Sequence, residues 1–236
     1  MKISLFFLSV LFLAAFVILK IASPELYGQL IQEDSPIEWA QAFFYLASAC
    51  ISLATARRFV KLRQSLHAGL FMILAVGLFF IAAEELSWGQ RLIHLSTPEY
   101  FAQHNRQNEI NLHNFNSIQP HLSDAYIVVG GYGAIAWIIL RLFASRQRAR
   151  PGHLVNFLAP DWYLSLYFAP ACVLYTIFGF IRLPQDGGFL IWRDQEAVEF
   201  LLATGFLLFT SAVFFKLRHR SERADRNSGH PSPAAE

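Results

Sequence analysis

The hydrophobic positions of this chain form long runs that are uncharged or nearly uncharged, rather than short alternating segments. Six runs are long enough to cross a bilayer as helices, which takes about 20 mainly apolar residues. They cover roughly residues 3–22, 36–56, 64–85, 124–143, 161–181 and 196–215. The alternating pattern of an outer-membrane barrel is absent from the sequence. The pattern therefore predicts an all-α, polytopic membrane protein, with a transmembrane domain of six helices over residues 1–220 in contact with the lipid bilayer.

The distribution of charge predicts how these helices are oriented. With the N-terminus inside, 14 of the 19 lysines and arginines lie on the cytoplasmic side and 13 of the 17 acidic residues on the other. An excess of Lys and Arg in cytoplasmic segments is the usual arrangement. We therefore expect a multi-pass protein of the cytoplasmic (inner) membrane with both termini in the cytoplasm. The first apolar run is too long for a typical signal peptide and is expected to remain as an anchor. The polar tail, 221–236, is expected to be disordered.

Composition argues against cysteine-based sites and against binding to nucleic acid. Cys50 and Cys172, the two cysteines, both lie within predicted spans, so neither a disulfide framework nor a cysteine-rich metal site is expected. The basic residues form short clusters beside the spans, and we expect no binding to nucleic acid.

One predicted connection is much longer than the others. Residues 86–123 join the third and fourth spans on the extracytoplasmic side, and a turn between antiparallel helices needs far fewer residues. Within this loop, "STPEYFAQH" predicts a short helix at the membrane surface, with Ser96 or Thr97 as N-cap and Pro98 at the first helical position. Long structured loops often carry function.

Two adjacent carboxylates end the third span, in the stretch "EELSWGQR". The helix dipole disfavours negative charge there, and Glu84 and Glu85 cannot both face lipid. If the helix continues, Glu84, Trp88 and Arg91 share one face. One interpretation is a Glu84–Arg91 ion pair, with Trp88 in the interfacial aromatic belt. The alternative is that the glutamates face a functional pocket.

The long loop contains a second candidate pair, Glu109 and His113. Their i,i+4 spacing would place them on one helical face, where carboxylate and neutral imidazole can share a divalent metal ion. Amide side chains of Asn108, Asn111 and Asn114 surround them. The alternative is a polar loop that forms hydrogen bonds with itself.

Other ionisable residues are predicted at the same outer depth. Glu38 closes a capping box that begins with Ser35. The full set is Glu33, Asp34, Glu38, Glu84, Glu85, Arg91, Glu109, His113, Glu196 and Glu199. Ionisable groups at this depth usually face an interior cavity, where clustered carboxylates bind a divalent cation or share protons. The sequence therefore predicts an acidic pocket, able to bind a metal ion, at the extracytoplasmic face.

Three motifs resemble a family of uncharacterised bacterial multi-pass membrane proteins. They are EE-x-SWGQR at 84–91, TPEYF at 97–101 and N-x-Q-N-E-x-NLHN at 105–114. The stretch "EDSPIEW" at 33–39 is similar to the second-span entry of the same proteins. The resemblance covers residues 30–120 and implies a similar membrane fold, but it implies no activity.

Two functional hypotheses follow from this pattern. The first is a membrane hydrolase or transferase that acts on a lipid or lipid-linked substrate. Its catalytic residues or metal ligands would be Glu84, Glu85, Glu109 and His113. Its substrate-binding residues would be Arg91 for a phosphate or carboxylate, Trp88 for an acyl chain or sugar, and also Glu38, Asn108, Asn111 and Asn114.

The second hypothesis is a non-enzymatic scaffold, sensor or accessory subunit that binds a partner through loop 86–123. A transporter fits less well, because the charges cluster at one face rather than at mid-membrane. Carboxylates that converge with His113 around a cleft would favour the enzyme. Carboxylates that are each paired to a cap or a base would favour a scaffold.

Overall fold

The fold of the chain is helical throughout the described residues. The computed structural model describes residues 1–32, 35–115, 117–143, 154–181 and 190–227. Its α-helices are α1 Lys2–Ala22, α2 Pro24–Leu30, α3 Pro36–Lys61, α4 Ser65–Glu85, α5 Gln90–Ile93, α6 Glu99–His104, α7 Gln119–Phe143, α8 Val155–Leu158, α9 Ser165–Phe180 and α10 Gln195–Asn227. Across these ranges the only β-type pairing is an isolated bridge between Asn105 and Phe115. The all-α prediction is confirmed.

Six helical segments are long and apolar enough to cross a membrane. They are Lys2–Ala22, Pro36–Lys61, Ser65–Glu85, His121–Leu142, Asn156–Phe180 and Gln195–Arg220. Each overlaps one predicted span, which supports a multi-pass membrane protein.

The last helix is longer than predicted. It continues to Asn227, seven residues into the tail for which disorder is expected from residue 221. This stretch is rich in Arg, Glu and Ala, which favour helix beyond the apolar run. The rest of the predicted disordered tail, 228–236, lies outside the described residues.

The long helices pack as two pairs joined by a central helix. α3 packs on α4, α7 packs on α9, and α10 lies between the pairs in contact with α3 and α9. Aromatic side chains such as Phe59, Tyr167 and Phe168 fill the core. α1 lies at the periphery with most of its apolar side chains exposed. A large exposed apolar surface of this kind is suited to contact with lipid.

Two glycines allow α7 to approach α9 closely. A Cβ atom added at Gly130 would lie 2.7 Å from the backbone nitrogen of Cys172. One added at Gly133 would lie 2.3 Å from ring atoms of Phe168. Small residues are common where membrane helices pack closely, and here they fix the spacing of two helices that line the candidate site.

A buried polar contact ties the first two helices to the start of α10. Lys20 Nζ lies 2.5 Å from Asp194 Oδ2, and the Tyr27 hydroxyl donates a hydrogen bond to Asp194 Oδ1 at 2.7 Å. Burial, together with the hydrogen bond to this carboxylate, raises the pKa of Tyr27 far above its ordinary value. Tyr27 therefore stays a hydrogen-bond donor and helps to fix the end of the helix bundle that carries the acidic residues.

Candidate functional site

The third long helix ends abruptly after Glu85. Ser87, Trp88 and Gly89 have φ angles of 45°, 54° and 82°, in the left-handed region that side chains other than glycine rarely adopt. The helix therefore does not continue to Arg91, and the predicted helical face of Glu84, Trp88 and Arg91 is wrong. The side chain of Arg91 lies outside the described part of the structure. Its ion pair and its substrate role stay predictions.

Glu84 turns towards the long loop and is almost fully engaged there. Its side-chain oxygens accept hydrogen bonds from Trp88 Nε1 at 2.6 Å, from the Leu112 backbone N–H at 2.6 Å and from the His113 backbone N–H at 2.9 Å. Glu84 is only 4% exposed. Its carboxylate therefore fastens residues 112–113 to the end of α4. The Trp88 ring is half exposed and contacts Phe80, with 5.6 Å between ring centroids.

Glu109 is held by a second set of hydrogen bonds. Ser87 Oγ donates to Glu109 Oε2 at 2.8 Å, and Asn111 Nδ2 donates to the same oxygen at 2.7 Å and to Ser87 Oγ at 3.1 Å. Gln90 adds a further link, because its Oε1 accepts from the Ile110 backbone N–H at 2.6 Å. We call Glu84, Ser87, Gln90, Glu109 and Asn111 the loop network.

The segment around Glu109 is a set of turns rather than a helix, so the predicted helical face of Glu109 and His113 is wrong. The reason is the side chain of Asn105, whose Oδ1 accepts from the backbone N–H groups of Gln107 at 2.9 Å and Glu109 at 3.3 Å. Its Nδ2 donates to the backbone carbonyl of Asn111 at 2.9 Å. Asparagine commonly competes with helix formation in this way.

The other amides of the loop also form bonds within it. Asn114 Nδ2 donates to Gln107 Oε1, and the Asn108 carbonyl accepts from Thr97 Oγ1 at 2.5 Å. Thr97 is therefore not the N-cap of α6, where Pro98 stands instead, although the predicted short helix is confirmed at Glu99–His104. The roles of Asn108, Asn111 and Asn114 in ligand orientation stay predictions.

Glu85 points away from the loop network and into a cavity of about 390 Å³. The cavity lies between α3, α4, α7, α9 and α10, and loop residues including Gln107, Leu112 and Asn114 border it. Carboxyl groups of Glu38, Glu85, Glu196 and Glu199 line it together with His113. We call this cavity the acidic pocket.

The carboxylates of the acidic pocket differ in their hydrogen bonds. Glu199 accepts one from the Tyr175 hydroxyl, and Glu196 Oε2 accepts one from Gln41 Nε2 at 3.4 Å. Ser35 Oγ accepts from the Glu38 backbone N–H at 3.3 Å, which confirms the predicted N-cap of α3. Glu85 has no hydrogen-bond partner among the residues that the structure describes.

Tyrosines surround the carboxylates, and the sequence interpretation missed them. Tyr45, Tyr126 and Tyr175 come from α3, α7 and α9, and all line the pocket. The rings of Tyr126 and Tyr175 are stacked, with centroids 4.3 Å apart and planes at 2°. Tyr45 lies two helical turns after Glu38 on the same face of α3. The sequence could therefore have predicted that its hydroxyl lies near the acidic residues.

The structure thus divides the predicted site residues into two groups. It brings Glu38, Glu85 and His113 together around the pocket with Glu196 and Glu199. Glu84 borders the same cavity, with His113 Nδ1 3.6 Å from its Oε2, but Glu84 itself belongs to the loop network.

The predicted metal ligands do not form an obvious coordination group. Within the described ranges, no three His, Cys, Asp or Glu side chains are grouped so that they could hold a metal ion. The metal role of Glu84, Glu85, Glu109 and His113 stays a prediction. Glu33 and Asp34 lie outside the described residues.

Comparison with known proteins adds no functional assignment. No protein-family model, curated protein or solved structure matches the chain. The resemblance to uncharacterised bacterial membrane proteins stays a prediction, and interpretation of the site rests on its own geometry.

Proposed function

We propose that the protein is an integral enzyme of the cytoplasmic membrane, a hydrolase or transferase that acts on the polar end of a lipid or lipid-linked substrate in the acidic pocket. One observation carries this proposal. The carboxylate of Glu85 lines a cavity of about 390 Å³ together with four other carboxyl groups and His113, and it has no hydrogen-bond partner among the described residues. Cavities of a few hundred Å³ that combine apolar walls with convergent polar groups are typical ligand sites.

The chemistry we infer is general acid–base catalysis. Carboxyl groups in unlike surroundings can divide the acid and base roles. Glu199 accepts a hydrogen bond from Tyr175, whereas Glu85 accepts none from the residues that the structure describes. Glu85 would take the proton of a water or alcohol nucleophile, and His113 would return a proton to the leaving group. Glu196 and Glu38 would bind polar groups of the substrate.

The pocket is assigned to the extracytoplasmic face because of the charge distribution. Glu38 opens α3, Glu85 ends α4 and Glu196 opens α10, so all three lie at one end of the helix bundle. Basic residues collect at the other end, for example Arg57 and Lys216. That end fits the cytoplasmic side, and both termini would lie there.

Cysteine labelling tests this orientation. Single cysteines at the exposed positions Glu99 and Arg57 would be introduced after Cys50→Ser and Cys172→Ser, and intact cells treated with a membrane-impermeant maleimide. We expect Glu99→Cys to react in intact cells and Arg57→Cys only after permeabilisation. The reverse pattern would contradict the orientation.

Lipid turnover tests the activity. Wild-type protein, Glu85→Gln and Glu25→Gln would be reconstituted with a total membrane lipid extract, and new products followed by mass spectrometry. Glu25 is an exposed glutamate on α2 and is the matched control. We expect wild type and Glu25→Gln to form the same product and Glu85→Gln to form it at least about 100-fold more slowly.

The outcomes of this assay separate the hypotheses. No product from folded wild-type protein would contradict the enzyme, and equal rates in Glu85→Gln would contradict the role of that residue. A parallel reaction with EDTA tests the predicted divalent ion. Turnover that is lost and then restored by added metal would support that ion, whereas unchanged turnover would assign the chemistry to side chains alone.

The structure of the long loop supports a second candidate function, that of a non-enzymatic accessory subunit. Residues 105–115 are held by hydrogen bonds with one another and with the end of α4 and the segment that follows it, as a fixed recognition surface would be. Leu92, Ile93 and Leu95 beside it are more than half exposed. If wild-type protein turns over no lipid, this surface becomes the functional region to test.

A further inference from the structure

A second cavity adjoins the acidic pocket and is almost entirely apolar. Its volume is also about 390 Å³. Its walls include Leu70, Leu74, Val128, Tyr132, Phe168 and Phe209. We call it the lateral groove. Val129 and Phe206 line both cavities, so the groove and the acidic pocket meet at these two side chains.

The lateral groove lies where two helices fail to close on each other. α4 and α7 both line it, but α4 packs on α3 and α7 on α9, without close packing between α4 and α7. Val128 and Tyr132 on α7 are 68% and 50% exposed at its edge. Because these helices are of membrane-spanning length, the groove faces the hydrocarbon of a surrounding bilayer.

The dimensions of the two cavities suit a lipid chain. Along α4, the groove residue Leu74 precedes Glu85 by eleven residues, which corresponds to about 16 Å of helix. The chains of one leaflet occupy half of a hydrocarbon core of about 30 Å, or about 15 Å. A chain of that length in the groove would place its head group in the acidic pocket.

The chemistry of the pocket selects the head group. Five carboxyl groups line it, including that of Glu84, and none of the described lining residues is a lysine or arginine. Such a lining repels phosphate and carboxylate head groups. Carboxylates and the ring faces of Tyr45, Tyr126 and Tyr175 are, in contrast, favourable partners for an ammonium group.

Tyr45 gives an independent indication of a ligand. It is 1% exposed and lines the acidic pocket, yet its hydroxyl forms no hydrogen bond with any residue in the described part of the chain. The hydroxyl is not among the fully buried polar atoms that lack a partner. Its accessible surface therefore borders the open space of the pocket, where a ligand atom can form the missing hydrogen bond.

We propose that the acidic pocket and the lateral groove form one binding site for a long-chain amphiphile with a protonated amine in its head group, which enters from the bilayer between α4 and α7. This inference rests on the proposed function and names its substrate class. The amine lies among Glu85, Glu196 and Glu199, and the chain passes Val129 and Phe206 into the groove.

Photo-crosslinking in lipid nanodiscs tests the inference. The probe is hexadecylamine with a diazirine at mid-chain, and the comparison probe is hexadecanoic acid with the same diazirine, both in phosphatidylcholine nanodiscs. We expect the amine probe to label groove residues of α4 and α7 at least about tenfold more than the acid probe. Unlabelled hexadecylamine should compete, and butylamine should not, because it lacks the chain that fills the groove.

Matched variants test the two halves of the site. Glu85→Gln should reduce labelling by the amine probe about tenfold and leave labelling by the acid probe unchanged. Val129→Trp fills the junction of the cavities and should also reduce amine labelling about tenfold. Ile135→Trp, at an exposed position of α7 outside both cavities, is the control and should have no effect. Val128→Trp at the groove edge replaces Val129→Trp if that variant does not fold.

The results distinguish this inference from the proposed enzyme. Specific amine labelling without lipid turnover would overturn the enzyme and leave the binding site. The opposite result would be turnover that depends on Glu85 together with equal labelling by both probes, or with no effect of Val129→Trp on labelling. That result would overturn the binding site and leave the enzyme. Labelling of α1 as strong as that of the groove would also overturn it.

Discussion

Glu84 and Glu85 are neighbours in the chain, yet they belong to two different regions of the molecule. Glu84 lies in the loop network, where its carboxylate accepts three hydrogen bonds. Glu85 lies in the acidic pocket, where it accepts none from the described residues. The helix dipole is unfavourable for both. The donors around a carboxylate, rather than its place in the sequence, therefore determine whether it stabilises the fold or is available to a ligand.

The two regions also differ in how their charge is compensated. In the loop network, N–H groups of Trp88, Leu112 and His113 replace the water that Glu84 loses on burial. In the acidic pocket, Glu85 meets other carboxyl groups instead. Such an unfavourable arrangement usually persists where function requires it, and a bound cation would relieve it.

The largest effect on stability is expected for Glu84→Gln. The amide nitrogen of glutamine must face either the Trp88 indole N–H or the two backbone N–H groups, so at least one buried donor loses its acceptor. We expect a loss of about 3 kcal/mol in the free energy of unfolding. In a thermal unfolding experiment in detergent, this corresponds to a fall on the order of 6–12 °C. Glu25→Gln is the control, and a similar fall in both variants would contradict the loop network.

A smaller loss is expected for Ser87→Ala. Its hydroxyl donates to Glu109 and accepts from Asn111, and removal of one such buried link should cost about 1.5 kcal/mol. A double-mutant cycle with Glu109→Gln measures the link directly. Because both changes remove the same hydrogen bond, the double variant should lose less than the sum of the single losses. Strict additivity would show that Ser87 and Glu109 act independently.

The smallest change in stability is expected for Glu85→Gln. The substitution removes a negative charge from among other carboxyl groups and breaks no hydrogen bond to a described residue. We expect a free energy of unfolding within about 0.5 kcal/mol of wild type, or higher than wild type. The same thermal unfolding experiment measures it. A loss as large as that of Glu84→Gln would place Glu85 among the structural residues.

Much of the fold could be predicted from sequence, because span length and hydropathy are local properties. The same approach selected Glu85 and His113, which line the pocket, since charge at the depth of a membrane interface is rare. It could not predict the hydrogen bonds of Glu84 and Glu109, whose donors depend on left-handed backbone at Ser87 and Trp88 and on contacts with residues distant in sequence.

The predicted pairing of Glu109 with His113 depended on a helix over residues 109–113. The side chain of Asn105 instead bonds to the backbone of this segment and stabilises turns. The pocket tyrosines were missed because an aromatic residue in a membrane span is usually assigned to packing. Only the three-dimensional structure, in which they converge on Glu199 and Glu85, distinguishes them from aromatic residues that merely pack between helices.

The most direct test compares hydrogen exchange of residues 105–115 in Glu84→Gln and Glu85→Gln, measured side by side by mass spectrometry. If Glu84 holds the loop and Glu85 faces a ligand, exchange should become at least about tenfold faster in Glu84→Gln. In Glu85→Gln it should remain at the wild-type rate. Equal acceleration in both variants, or acceleration in Glu85→Gln alone, would contradict the division of roles between the two glutamates.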